Sequence, residues 1–225
     1  GMAPHRQIAS PRPLGSPLLH VFDILLPTPL LFTSRAVALL QVLVTAVLVV
    51  RLLAGRGFRR WGAREAVLAA LAFLVNLHTF PLLSWHTIDG LFVAAAALVV
   101  VEAASERKNL RLVAAGALVA GFAPLMKQSF APVPILVLAW VAWRWAPHRR
   151  EPEFPGWGRL VAAAATAAVP TVAYALWVLG TGSGDAALDQ VLGASGVRVV
   201  AGVRGSAVLI VTAVAGVAVA VATVI

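Results

Sequence analysis

The residues best suited to chemistry are two imidazoles and a carboxylate in the run His78-Thr-Phe-Pro-Leu-Leu-Ser-Trp-His86-Thr-Ile-Asp89-Gly90. This polar island lies between two long apolar stretches and holds no Lys or Arg. His86 and Asp89 are three residues apart, so on a helix they share a face and can orient an acceptor, bind a divalent cation, or simply pair. Two ligands are too few for a metal site, so the metal stays unknown and a divalent cation remains an open cofactor. The structural reading of the same residues is a helix cap, because Asp89 and Thr87 can both accept from the free N–H groups of a helix start. Near the apolar layer of a membrane a carboxylate costs up to about 3 kcal/mol at the centre and much less at the boundary.

The cations that could complement such a site are few. Lys127 is the only charge in a short turn and is followed by Gln128 and Ser129. Its ammonium either snorkels to the head groups or binds the phosphate of a lipid-linked substrate. Arg6, Arg12 and Arg35 are further phosphate candidates, better suited to bidentate contact, and Arg198 and Arg204 are weaker ones. Trp85, Trp140, Trp143 and Trp145 are expected as membrane-interface anchors. Asp185 and Asp189 lie in a Gly-containing stretch and read as solvated loop residues. No Gly-rich nucleotide loop, nucleophile elbow or metalloprotease motif occurs, which argues against an ATP-driven pump or a hydrolase of those types.

The elements that must position these residues are read from hydropathy. Apolar residues make up 60% of the chain and charged ones 12%, and the apolar runs approach the length that crosses a bilayer. The expected fold class is therefore all-α, a polytopic transmembrane helical bundle of about six spans. Spans are expected at 36–53, 66–80, 88–104, 112–125, 133–145 and 160–179, the last interrupted by Pro170, with a further one starting near Ser206. Those at 112–125 and 133–145 are short and predict a tight, tilted hairpin. Residues 1–35 are rich in Pro, which excludes one continuous helix, and read as an outer-face loop. Within it, Leu18 to Leu26 surround His20 and Asp23 with apolar residues, which suits a short helix lying at the membrane surface. Residues 36–225 form the transmembrane domain, and the chain reads as a fragment truncated at both ends.

The formal charge of +9 would suit nucleic acid in a soluble protein, but most of the Arg residues fall in alternate loops, as a topology signal does. No nucleic-acid partner is expected. Positive loops stay inside, which places the 1–35 segment, the polar island and the Lys127 turn outside. All four Asp residues then fall on the outer side and every Glu on the inner one. Gly116-x-x-x-Ala120 and Ala117-x-x-x-Gly121 are small-residue pairs that let helices approach closely in lipid. The absence of Cys removes disulfide and thiolate chemistry and says little about compartment.

In order, these elements resemble the membrane module of the glycosyltransferase C superfamily, near bacterial aminoarabinose transferases and protein O-mannosyltransferases. Gly1-Met-Ala-Pro-His-Arg-Gln-Ile, followed by Pro13-Leu14 and later Arg35, is similar to the end of that family's first outer loop. Trp85-His-Thr-Ile-Asp-Gly-Leu91 resembles its Asp-containing run that opens a span. Ala115-Gly-Ala-Leu-Val-Ala-Gly-Phe-Ala-Pro-Leu-Met-Lys127 resembles its Gly-rich hairpin ending in Lys. The family's first-loop aspartate would lie upstream of Gly1, and Gln7 and His5 stand where Asp and Tyr are often found. The resemblance implies an inverting glycosyltransferase of the cell membrane, with a polyprenyl-phosphate-linked sugar donor and membrane lipids as partners. It implies that Asp89 and His86 serve the acceptor or a cation and that Lys127, with Arg6 or Arg12, serves the phosphate. Gln128 and His78 are further candidate substrate contacts. A transporter or lipid-handling scaffold of similar helical architecture is the alternative.

Overall fold

The computed structural model describes residues 3–7, 10, 12–26, 28–55, 57–80, 85–147 and 156–190. They are helical, with no ladder of paired strands among them. In chain order the helices are α1 (Gly15–Leu19), α2 (Val21–Leu25), α3 (Leu30–Ala54), α4 (Ala63–Thr79), α5 (His86–Glu106), α6 (Leu110–Met126), α7 (Pro132–Trp145), α8 (Trp157–Ala165), α9 (Val169–Gly180) and α10 (Gly184–Leu188). The span expected from Ser206, with Arg198 and Arg204, lies outside the described residues. The chain divides into two compact units, residues 12–177 and residues 1–11 with 178–225.

In the larger unit, α5 and α6 form a closely packed hairpin, α3 packs on α4 and α5, and α6 carries α7 and α8 on its other sides. The core between them is built from small and β-branched residues, among them Ala97, Val101, Val113, Ala120, Val137 and Val141. Small residues let helix backbones come close, which is how helices associate in lipid. At Gly116 a Cβ would lie 2.5 Å from the Val101 side chain, and at Gly121 2.1 Å from the Ala167 carbonyl oxygen. Trp145 belongs to this core at 3% exposure, so it does not serve as the interface anchor expected of it. Trp143 is exposed, and Trp140 donates to Glu102 (2.9 Å).

Three helical stretches are long and apolar enough to cross a membrane: Leu30–Ala54, His86–Glu106 and Trp157–Gly180. The other expected spans are shorter, at 17 residues for α4 and α6 and 14 for α7, against the roughly 20 that a perpendicular crossing needs. Thr166–Ala168 tightens into a 3-10 turn ahead of Pro170, whose missing N–H and ring cannot continue a regular α-helix. Large apolar side chains such as Leu74, Val75, Ile135, Leu136 and Leu176 face outward, the arrangement that lipid stabilises and water does not.

Two features of residues 12–35 differ from the sequence reading. α3 begins at Leu30 rather than near Ala36, because Pro29 is the last proline and stands just outside the helix, where its fixed φ and missing N–H do no harm. The surface helix is two short helices, broken at His20, and its polar face points inward. Ser16, His20 and Asp23 are buried while Phe22 and Leu25 are 67% and 71% exposed. A helix lying on a membrane surface turns its polar side to water, so this segment is docked by its polar stripe and leaves its apolar stripe outside.

Candidate functional site

Asp89 is the fourth residue of α5 and is fully buried, at 0% exposure. Its backbone N–H already donates to the Trp85 carbonyl (3.1 Å), so it lies inside the hydrogen-bonded helix, and neither Asp89 nor Thr87 caps α5, which starts at Trp85 without a side-chain cap. The carboxylate turns sideways instead. Oδ2 accepts from the Ser16 hydroxyl, and Oδ1 accepts from His20 Nε2 and from Gln41 Nε2, each at 3.0 Å. One carboxylate therefore ties α1, the α1–α2 break and α3 to α5.

His20 is the second member of this network. Its Nδ1 donates to Asp23 Oδ2 at 2.8 Å while Nε2 donates to Asp89. Both ring nitrogens face ionisable carboxylates that only accept, which calls for the doubly protonated imidazolium. Burial pulls the His20 pKa down, but the hydrogen bonds and charges of Asp89 and then Asp23 outweigh it, and the pKa is raised above 6.5. A group whose folded pKa is raised stabilises the fold fully below its unfolded value and loses that contribution as pH climbs through the folded one. The unfolding midpoint of the protein is thus expected to fall as pH rises from about 6.5 through the raised value. In His20→Gln that slope should flatten, and a thermal series in one detergent from pH 6 to 9 measures it.

Gln41 lies about 16 Å along a helix roughly 37 Å long, so the carboxylate network sits level with the middle of α3. The next polar residue on that face is Thr45. Gln41 Oε1 and Thr45 Oγ1 are buried without a hydrogen-bond partner among the described residues. Further along, Arg51 Nη2 approaches Glu106 Oε2 at 3.8 Å, which fixes α3 and α5 as parallel. Asp23 and Asp89 therefore share one end of the bundle, and Glu102, bonded to Arg144 at 2.9 Å, and Glu106 lie at the other.

Above Asp89 the first turn of α5 gathers cations. Arg12 Nη1 lies 2.9 Å from His86 Nδ1, and Lys127 Nζ donates to Thr87 Oγ1 at 3.2 Å. The Trp85 indole N–H points at His86 Nε2 at 3.1 Å. A neutral imidazole has one lone pair and one N–H, so His86 accepts from Arg12 or from Trp85 but not from both at once. The Lys127 turn is held here by Phe130, whose ring lies where a Cβ on Gly90 would be, at 2.2 Å. On the other side α1 reaches α6 through Gly15, where a Cβ would come within 2.5 Å of the Leu125 backbone. Only glycine permits either approach.

Of the residues singled out in the sequence, Asp89, His86, Lys127 and Arg12 come together at this turn, and His86 and Asp89 share it without bonding each other. Gln128 follows Lys127 in the 3-10 turn Gln128–Phe130. His78 is exposed in the last turn of α4, with no hydrogen bond or ion pair among the described residues to this group. Arg6 is exposed in the terminal unit, where Gln190 accepts from His5 Nδ1 (3.1 Å) and from the Ser10 N–H (2.8 Å). Ser16, His20, Asp23 and Gln41 were missed as site residues. The signal for the first three was present, since Ser16, His20 and Asp23 fall at i, i+4 and i+7 on one helical face.

Among the described residues no three His, Asp or Glu side chains are grouped to hold a metal ion. Asp89, with three donors on its carboxylate, does not present an open ligand for the divalent cation left open by the sequence. No family model matches the chain, and neither a curated protein nor a solved structure shows significant similarity to it.

Proposed function

We propose that this chain acts as a multi-pass membrane glycosyltransferase, transferring a sugar from a polyprenyl-phosphate carrier to an acceptor hydroxyl at the outer face of the cell membrane. The observation that carries the reading is the convergence of Arg12, Lys127, His86 and Thr87 at the uncapped start of α5. A guanidinium and an ammonium at the start of a helix make a place for a phosphate.

In this reading Arg12 turns from His86 to the carrier phosphate, which leaves the Nδ1 lone pair free in the tautomer that carries its proton on Nε2. The acceptor hydroxyl gives its proton to His86 and its oxygen bonds to the anomeric carbon from the far side. The bond from that carbon to the phosphate oxygen breaks, its electron pair stays on the carrier, and the configuration inverts. The charge gained by the carrier phosphate faces Arg12 and Lys127, groups of the kind that stabilise charge developing in a transition state. Asp89 is a positioning residue here: it holds α1, His20 and α3 under the turn that carries His86. Further crossings by α4, α6 and α7, tilted or in a thinned bilayer, belong to this proposal.

A second reading, a transporter or lipid-handling protein without chemistry, is favoured by one observation. Gln41 and Thr45 place buried polar atoms midway along α3, where transporters hold substrates and coupling ions. The experiment that separates the two is incubation of the purified protein with polyprenyl-phosphate-linked sugars of several classes. Release of free polyprenyl phosphate above the protein-free rate is expected for at least one donor. Silence across all donors, with the protein folded, favours the second reading.

A further inference from the structure

At the opposite end of α3 and α5 a cavity of about 830 Å³ is lined by Arg51, Phe58, Arg59, Arg60, Glu106 and Arg107. We propose that this cavity binds the phosphate of an anionic phospholipid head group. Four arginines and one glutamate are in its lining. Arg51 is the most telling of them, because it is only 7% exposed and cannot be a side chain snorkelling to water. Its one ion pair among the described residues is the 3.8 Å approach to Glu106, itself 43% exposed. The Phe58 ring face lies 5.8 Å from the guanidinium carbon, and Nη1 is buried without a hydrogen-bond partner among the described residues. A buried guanidinium is stabilised only when its N–H fork is matched by acceptors and countercharge. Phosphate oxygens supply both, in bidentate geometry.

The lipid source follows from the surroundings. The cavity lies at the ends of two helices long enough to cross a membrane, the depth at which head groups sit and at which basic pockets between helices take anionic lipids. On α3 beside Arg51, Val49, Val50 and Leu53 face Leu68, Leu71 and Val75 of α4 across an apolar groove, which suits acyl chains.

The test is native mass spectrometry of the full chain, stripped of lipid in neutral detergent and titrated with dioleoyl phosphatidylglycerol or dioleoyl phosphatidylcholine. Wild type should retain phosphatidylglycerol in clear preference. The Arg59→Gln/Arg60→Gln/Arg107→Gln variant, altered only at exposed positions, should lose roughly fivefold in phosphatidylglycerol affinity per arginine removed. Arg51→Gln should lose the preference as well, and if it does not fold, the triple variant decides alone. Equal retention of the two lipids by wild type, or an unchanged preference in the triple variant, would overturn the proposal. So would competition by millimolar inorganic phosphate against phosphatidylglycerol, which would assign the cavity to the free anion.

Discussion

Asp89→Asn is expected to destabilise the folded protein by about 3 kcal/mol or more, although it alters neither the length nor the shape of the side chain. The carboxylate accepts three hydrogen bonds and is shielded completely from solvent. An amide in its place turns an NH2 towards the Ser16 hydroxyl or towards the two N–H donors on Oδ1, leaving at least one buried donor unmatched. It also takes from His20 one of its two countercharges. Breaking a buried charged pair from one side costs about 3–5 kcal/mol, because the remaining partner is stranded. Had Asp89 been a helix cap, Asn would have served nearly as well, at a cost of a few tenths to about 1 kcal/mol. Denaturation in a fixed detergent separates the outcomes, and a midpoint equal to wild type would remove Asp89 from the network. The proposed sugar transfer should fall with the folded fraction, as expected of a residue that would position the site from beneath.

Arg12→Gln/Lys127→Met should behave in the opposite way. Arg12 is exposed and Lys127 half-buried, and exposed or half-exposed charges contribute little to folding, so stability should change by no more than about 0.5 kcal/mol. Activity should fall on the order of 100-fold or more in kcat/KM, the range seen when donors aimed at developing charge are removed. A rise in the Michaelis constant for the proposed lipid-linked donor should carry part of the Lys127 effect, because in that proposal its ammonium meets the phosphate in the ground state too. A double variant with wild-type kinetics would return Lys127 to a side chain that merely reaches for the head groups.

The helices were legible because lipid enforces a simple pattern: long apolar runs with charges between them. α5, α6 and α7 lie within two or three residues of their expected bounds. The start of α3 differs from the expected bound near Ala36 because a proline just outside the first turn, here Pro29, leaves the following helix intact. The Gly-containing pairs at Gly116 and Gly121 fall in close helix contacts, as their spacing in an apolar run implies.

The site was legible only in part. Lys127 and Arg12 stood out because charge is scarce, and Asp89 because it is acidic at a span boundary. What lies beneath them was hidden for a physical reason: the Ser16–His20 segment, Gln41 and Asp89 are far apart in sequence, and their union depends on which face each helix turns to its neighbour. An apolar segment with polar residues at Ser16, His20 and Asp23 fits two arrangements equally well, polar side to water or polar side to protein. Hydropathy does not choose between them. The choice was made by a partner outside the segment, the buried carboxylate of Asp89, and by Gly15, which lets α1 come close enough to α6 to reach it.

The most direct test of the phosphate-binding turn is equilibrium binding of polyprenyl phosphate, compared with neutral polyprenol, to wild type and to Arg12→Gln/Lys127→Met in the same detergent. Charge-assisted hydrogen bonds contribute about 1.5–3 kcal/mol each. Wild type is expected to prefer the phosphate over the alcohol by more than about tenfold, and the double variant to lose this preference while binding polyprenol as before. Equal affinity of wild type for the two compounds, or a preference that survives in the double variant, would contradict it.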